Sequence, residues 1–148
     1  MQTLTDLTSL DAGASRPLIV FAHANGYPPE SYRMLLAPLA KKFRVLTVEH
    51  RPFWSEGRAP RTLDWQVYAD DLLATLKREV DEPVFLVGHS MGATIGMLAA
   101  LRAPSVFRGL VALDPVLLPL KYWMVGQVMR VFGKDLPMIR SALRRPHS

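Results

Sequence analysis

The chain has 148 residues, 49% of them apolar and 21% charged, which excludes a disordered chain and leaves room for one sizeable core. It contains no cysteine, so disulfides, thiolate metal sites and thiol catalysis are excluded. Its net charge of +5 resides wholly in Lys121, Arg130, Lys134, Arg140, Arg144 and Arg145, opposed only by Asp135; these are spread thinly with no recognition motif, so nucleic acid is not an expected partner.

Residues 1–16 form a polar lead-in with room for one short edge strand. They show neither the basic nor the apolar region of a secretory signal. Leu18-Ile19-Val20-Phe21-Ala22 is a short continuous apolar run bounded by Pro17 and Asn25-Gly26, the pattern of a strand buried on both faces. Helical spacing follows over Glu30 to Lys42, with apolar positions 32, 35, 36, 39 and 40 and Pro28-Pro29 at its start. Arg44 to Val48 is the next strand, and Arg51 to Thr62 a loop rich in proline, glycine and charge. Asp64 to Val80 is the clearest helix, capped by Thr62 or Asp64. Asp70 and Asp71 are expected on its solvated face. Val84 to Val87 is a third buried strand, Ser90 to Arg102 a helix ended before Pro104, and Gly109 to Leu113 a fourth strand. This alternation predicts an α/β fold: a mostly parallel open sheet with helices covering both faces. From Pro115 the pattern turns helical, apolar and then basic, without a further strand. No apolar run approaches the roughly 18 residues of a spanning helix, so no transmembrane segment is expected, and a cytoplasmic location is.

The third buried strand runs into Gly88-His89-Ser90-Met91-Gly92, a G-x-S-x-G between strand and helix. A serine on so tight a turn sits at strained backbone angles, and Gly88 and Gly92 leave space where a Cβ would collide. Gly96, with Ala100 after it, lets the helix pack close to the sheet. A dinucleotide fingerprint would need a glycine at Ser90, and a P-loop a lysine that does not follow. Ser90 is thus a candidate nucleophile. An oxyanion hole needs two converging N–H donors. One is expected from Met91, which follows the nucleophile. The other is expected from the loop His23-Ala24-Asn25-Gly26, with Asn25 first and Ala24 second, and Gly26 permitting the turn.

These features resemble the α/β-hydrolase family over residues 17–114: the His23–Gly26 loop, the Gly88–Gly92 elbow, and the strands and helices between them. The family's usual H-G dipeptide is His23-Ala24 here. Glu49-His50-Arg51-Pro52-Phe53-Trp54-Ser55-Glu56-Gly57 resembles the D-x-R-G-x-G-x-S turn of cap-bearing members, with Glu49 in place of Asp and bulky residues at 52–54. The resemblance implies a partial α/β-hydrolase fold over 17–114, with 115–148 as the start of a helical cap and a basic tail. It implies hydrolysis of a small-molecule ester or related acyl bond, with Trp54 as a candidate pocket residue. Thioesterase, lactonase, carbon–carbon hydrolase and cofactor-free haloperoxidase activities stay open, whereas members with an Asp nucleophile are disfavoured by Ser90.

The family's triad order is serine, acid, histidine. Asp114, at the end of the fourth strand, is the candidate acid, weighed evenly against a plain strand-end turn former. His23 and His89 are expected to be structural. Only His147 follows the serine, at a polar end that frays, so the catalytic histidine is expected outside this chain. No cofactor and no metal are expected, since no cluster has ligand spacing. The alternative is a non-catalytic fragment or binding module lacking the histidine. Exposed apolar helices and an open sheet edge favour self-association.

Overall fold

The computed structural model describes residues 4–6, 16–51 and 64–117. Five strands form one sheet in the order β1-β3-β2-β4-β5, with β1 Leu4–Asp6, β2 Leu18–Ala22, β3 Arg44–Val48, β4 Val84–His89 and β5 Phe107–Leu113. β2, β3, β4 and β5 pair in parallel, and β1 runs antiparallel along β3. The lead-in thus supplies an edge strand. β4 and β5 each extend two residues beyond the expected span, β4 through Gly88-His89 and β5 from Phe107.

All five residues of β2 are buried, as its uninterrupted apolar run requires of a central strand. The period of two divides them between two cores. Leu18, Val20 and Ala22 join Tyr68, Leu72, Leu76, Ile95 and Ala99 on one face, where α2 (Trp65–Glu79) and α3 (Met91–Arg102) pack. Ile19 and Phe21 join Leu36, Ala40 and Val45 on the other, under α1 (Arg33–Ala40). That second face is only partly covered among the described residues. Towards β4 and β5 it leaves Phe85 at 38%, Val111 at 52% and Leu113 at 38% exposure, while helices lie on both faces as expected.

α2 keeps its expected span to within one residue at each end. The Asp64 side chain accepts the Gln66 N–H at 3.0 Å, and buried Tyr68, Ala69, Leu72, Thr75 and Leu76 form one stripe. The helix expected over Glu30 to Lys42 is instead a 3₁₀ turn, Pro29–Tyr32, followed by the shorter α1. The cause is local. Pro28 is extended, Tyr32 sits near φ −99°, ψ 10°, and the N–H groups of Lys42 and Phe43 both turn back onto the Leu39 carbonyl. Pro38 within α1 lacks the N–H that would reach Met34, and the exposed position leaves that carbonyl open to water.

Asp70 and Asp71 are not simply solvated. Arg102 pairs with Asp70, and Arg51 grips Asp71 through Nε at 2.5 Å and an Nη at 2.8 Å. Adjacent helix residues point about 100° apart, so the two aspartates serve different neighbours: one holds α3, the other the end of β3. No helix among the described residues is long and apolar enough to cross a membrane.

Candidate functional site

The order of the strands selects the site. From β2 the chain steps outward to β3, then crosses back over β2 to β4. Loops therefore leave the carboxyl ends of β2 and β4 in opposite directions, the topological switch point where open α/β sheets hold ligands. Ala22 pairs with Val48 on one side and Gly88 on the other, so the loops beginning at His23, Glu49 and His89 emerge side by side.

Ser90 lies between β4 and α3 at φ 52°, ψ −115°, in the positive-φ region that few side chains adopt. The surroundings force it there. A Cβ on Gly88 would come within 2.6 Å of the Ala93 backbone, and one on Gly92 within 2.2 Å of the Ala22 carbonyl oxygen. Only two glycines allow the strand to turn this sharply and α3 to start against β2. At Gly96 a Cβ would meet the Leu86 side chain at 2.5 Å, which accounts for the close packing of α3 on the sheet. The Ser90 N–H donates to the Leu113 carbonyl at 2.9 Å, and the Ser90 carbonyl accepts from the Thr94 N–H at 3.1 Å. Met91 is the first residue of α3, so its amide has no acceptor within the helix.

The loop after β2 makes a four-residue turn, with the Tyr27 N–H donating to the Ala24 carbonyl at 3.3 Å. Gly26, third in that turn, has φ 77°, the position where a type II turn demands positive φ. A Cβ there meets nothing within 4 Å, so strain alone sets the cost of a side chain. Gly26→Ala is expected to lower stability by about 1–2 kcal/mol, measurable as a shift of the urea midpoint.

Two buried histidines brace the loop. His23 Nδ1 donates to the Ala24 carbonyl at 2.7 Å, and its Nε2 accepts the His50 N–H at 3.2 Å, which together fix the neutral tautomer. The His50 ring lies tilted at 4.5 Å from the His23 ring and edge-on to Tyr68 at 6.1 Å, with no hydrogen-bond partner for its nitrogens among the described residues. Burial lowers the pKa of His23, and lowers that of His50 further with His23 beside it. Both shifts favour the neutral ring. Glu49 shifts the opposite way, its carboxyl raised by burial and by Glu30.

Asn25, Met91, Ser90 and Asp114 thus come to one sheet edge. Asp114 follows the Leu113 carbonyl that holds Ser90, and it too has positive φ, 46°. The N–H of Ala24, the second loop candidate, is donated to the Tyr32 hydroxyl at 3.1 Å. Trp54 and His147 lie outside the described residues, as does the expected cap beyond residue 117. Two contributors escaped the sequence reading. Tyr32 counted only as an apolar helix position, and Thr94, whose Oγ1 donates to the Val116 carbonyl at 3.1 Å and ties the chain after β5 onto α3, carried no signal. Among the described residues no group of histidine and acidic side chains could hold a metal.

Residues 19–147 match the alpha/beta hydrolase family. The monoglyceride lipase of Rattus norvegicus is 35% identical over 114 residues, 72% of this chain and 37% of the lipase. An sn-1-specific diacylglycerol lipase of Mus musculus is 35% identical over 109 residues, 71% of this chain and 34% of that protein. A carboxylesterase structure from the thaumarchaeon Nitrososphaera gargenis shares the fold with a TM-score of 0.69 at 20% identity, covering 89% of this chain and 48% of that one. The chain spans a little over a third of the length of the two lipases.

Proposed function

Because the chain belongs to the alpha/beta hydrolase family, we propose that it carries the nucleophile half of a serine hydrolase that cleaves an ester or related acyl bond through Ser90. The observation that carries this reading is the backbone of Ser90, held at φ 52° between two glycines that no larger residue could replace. Strain of this kind persists only where the surroundings over-determine it, and it concentrates at functional sites. The carboxylesterases and lipases among the relatives favour an ester over other acyl substrates.

In this reading the Ser90 Oγ attacks the substrate carbonyl carbon as a histidine takes its proton. The carbonyl oxygen becomes an oxyanion between the Asn25 and Met91 amides, and the N-terminus of α3 favours the new charge. Collapse expels the alcohol, which takes up the proton, and water then releases the acid from the acyl-serine by the same route in reverse. Asp114 is the candidate that orients the histidine. His23 and His89 are committed to hydrogen bonds at the base of the site, and His50 is buried beneath it, so none of the three is the base.

A fluorophosphonate probe tests this directly. Covalent labelling of the folded protein with its triad histidine present, mapped by mass spectrometry to Ser90 and abolished by Ser90→Ala, is the expected result. Absence of labelling there overturns the reading in favour of a binding module that keeps the elbow without the chemistry.

A further inference from the structure

The two amides proposed to hold the oxyanion belong to different loops, and a hole of this kind works only if both are held in place before charge develops. One side chain touches both loops. The Tyr32 hydroxyl accepts the Ala24 N–H at 3.1 Å and lies 2.7 Å from His89 Nδ1. Ala24 precedes Asn25, and His89 precedes Ser90 and Met91. The phenol is itself fixed: its ring packs at 4.6 Å against Phe21, which is fully buried, and meets the His89 ring edge-on at 5.7 Å.

We propose that Tyr32 is a positioning residue, whose hydroxyl bridges the β2 loop to the elbow and so sets the spacing of the Asn25 and Met91 amides. This rests on the reading of Ser90 as nucleophile. The proton count supports one arrangement. The phenol oxygen accepts from Ala24, so its single proton goes to His89 Nδ1, and His89 carries its own proton on Nε2. The opposite tautomer would leave the phenol proton without an acceptor in the bridge. Burial raises the pKa of Tyr32, which favours the protonated hydroxyl that the bridge requires. The Ala24 N–H, held by Tyr32, is withdrawn from the oxyanion and serves to aim its neighbour.

The test compares Tyr32→Phe, which keeps the ring on Phe21, with His89→Leu, which removes the other end of the bridge, and His89→Asn, whose Oδ1 can replace Nδ1 as acceptor. Two readouts are taken. In the first, ¹⁵N NMR shows an unprotonated, hydrogen-bonded His89 Nδ1 in the native chain. Tyr32→Phe shifts that resonance and speeds hydrogen exchange at the Ala24 amide about tenfold, the scale of one lost hydrogen bond, with Val20 unchanged. In the second, the rate of Ser90 phosphonylation at saturating probe falls about tenfold in Tyr32→Phe and in His89→Leu, with half-saturation unchanged. The double variant is no slower than either single one, and His89→Asn recovers most of the rate. Unchanged exchange at Ala24 overturns the bridge. A native rate in Tyr32→Phe, or an additive double variant, overturns the positioning role. If the native protein with its triad histidine present takes no label, the serine reading fails, and the first readout alone decides whether the bridge exists.

Discussion

Gly92→Ala is expected to destabilise the protein by about 3 kcal/mol or more, the upper end of what overpacking a core produces. The added methyl would lie 2.2 Å from the Ala22 carbonyl oxygen, 2.5 Å from its carbon and 2.6 Å from the His23 carbonyl oxygen. All three are backbone atoms of the central strand or the residue after it, and none can swing aside. Gly96→Ala is the control. Its methyl would also come within 2.5 Å of a neighbour, but that neighbour is the end of the Leu86 side chain, which can change rotamer. Against this stands alanine's advantage over glycine within a helix, about 1 kcal/mol. It can cancel the side-chain shift at Gly96 but not the backbone collision at Gly92. Urea unfolding followed by circular dichroism checks the pair. Equal midpoints for the two variants would show that α3 can retreat from β2, and the close approach would then not be what sets the elbow.

The same contact decides more than stability. α3 begins against the end of β2, so close packing, together with the β2–β4 pairing, brings Ser90 and the His23–Gly26 loop to one edge. That closeness was legible in the sequence, because the demand for glycine is written at fixed offsets from Ser90. The spans of β2 and β3 were legible for a similar reason: Pro17 and Asn25-Gly26 bound one apolar run, and Arg44 opens the other, which Glu49 ends. Local patterns lose their force where partners are distant. Tyr32 meets Ala24 eight residues away and His89 fifty-seven away, and no period announces either contact. Its spacing relative to Leu35, Leu36 and Leu39 fitted a helix face, and its hydroxyl was the informative atom. Asp71 misled in the same way. Next to Asp70 on a helix it suggested a solvated face, and only the fold brings Arg51 to it. The Ala24 amide shows the limit within the site itself: the loop was identified, but which of its amides was already occupied depended on Tyr32.

Acidification below about pH 6.5 is expected to destabilise the fold steeply through His23 and His50. In the unfolded chain both titrate near the ordinary 6.5; in the folded one both are held lower, chiefly by burial, His50 well below and with His23 opposing its charge. A depressed pKa in the folded state means that the unfolded state binds protons first. The stability is therefore fully present above pH 6.5 and is lost as pH falls from there towards the folded values. Each histidine contributes a slope of about 1.4 kcal/mol per pH unit while only its unfolded form is protonated, so the pair together approaches twice that. Glu49 acts in the opposite sense, since its raised carboxyl favours the folded state in acid, and a fall on acidification is then assigned to the histidines. The geometry explains why the protein cannot evade the effect. A proton on His23 Nε2 would face the His50 N–H that this nitrogen now accepts, and a charged His50 finds no hydrogen-bond partner for its ring nitrogens among the described residues. Unfolding free energies measured by urea titration between pH 7.5 and 5.5 test the slope, and His50→Phe, which keeps a flat ring beside Tyr68, should reduce it to about half. A flat profile across that range, or a slope unchanged in His50→Phe, would show that the buried pair is not the acid-sensitive element.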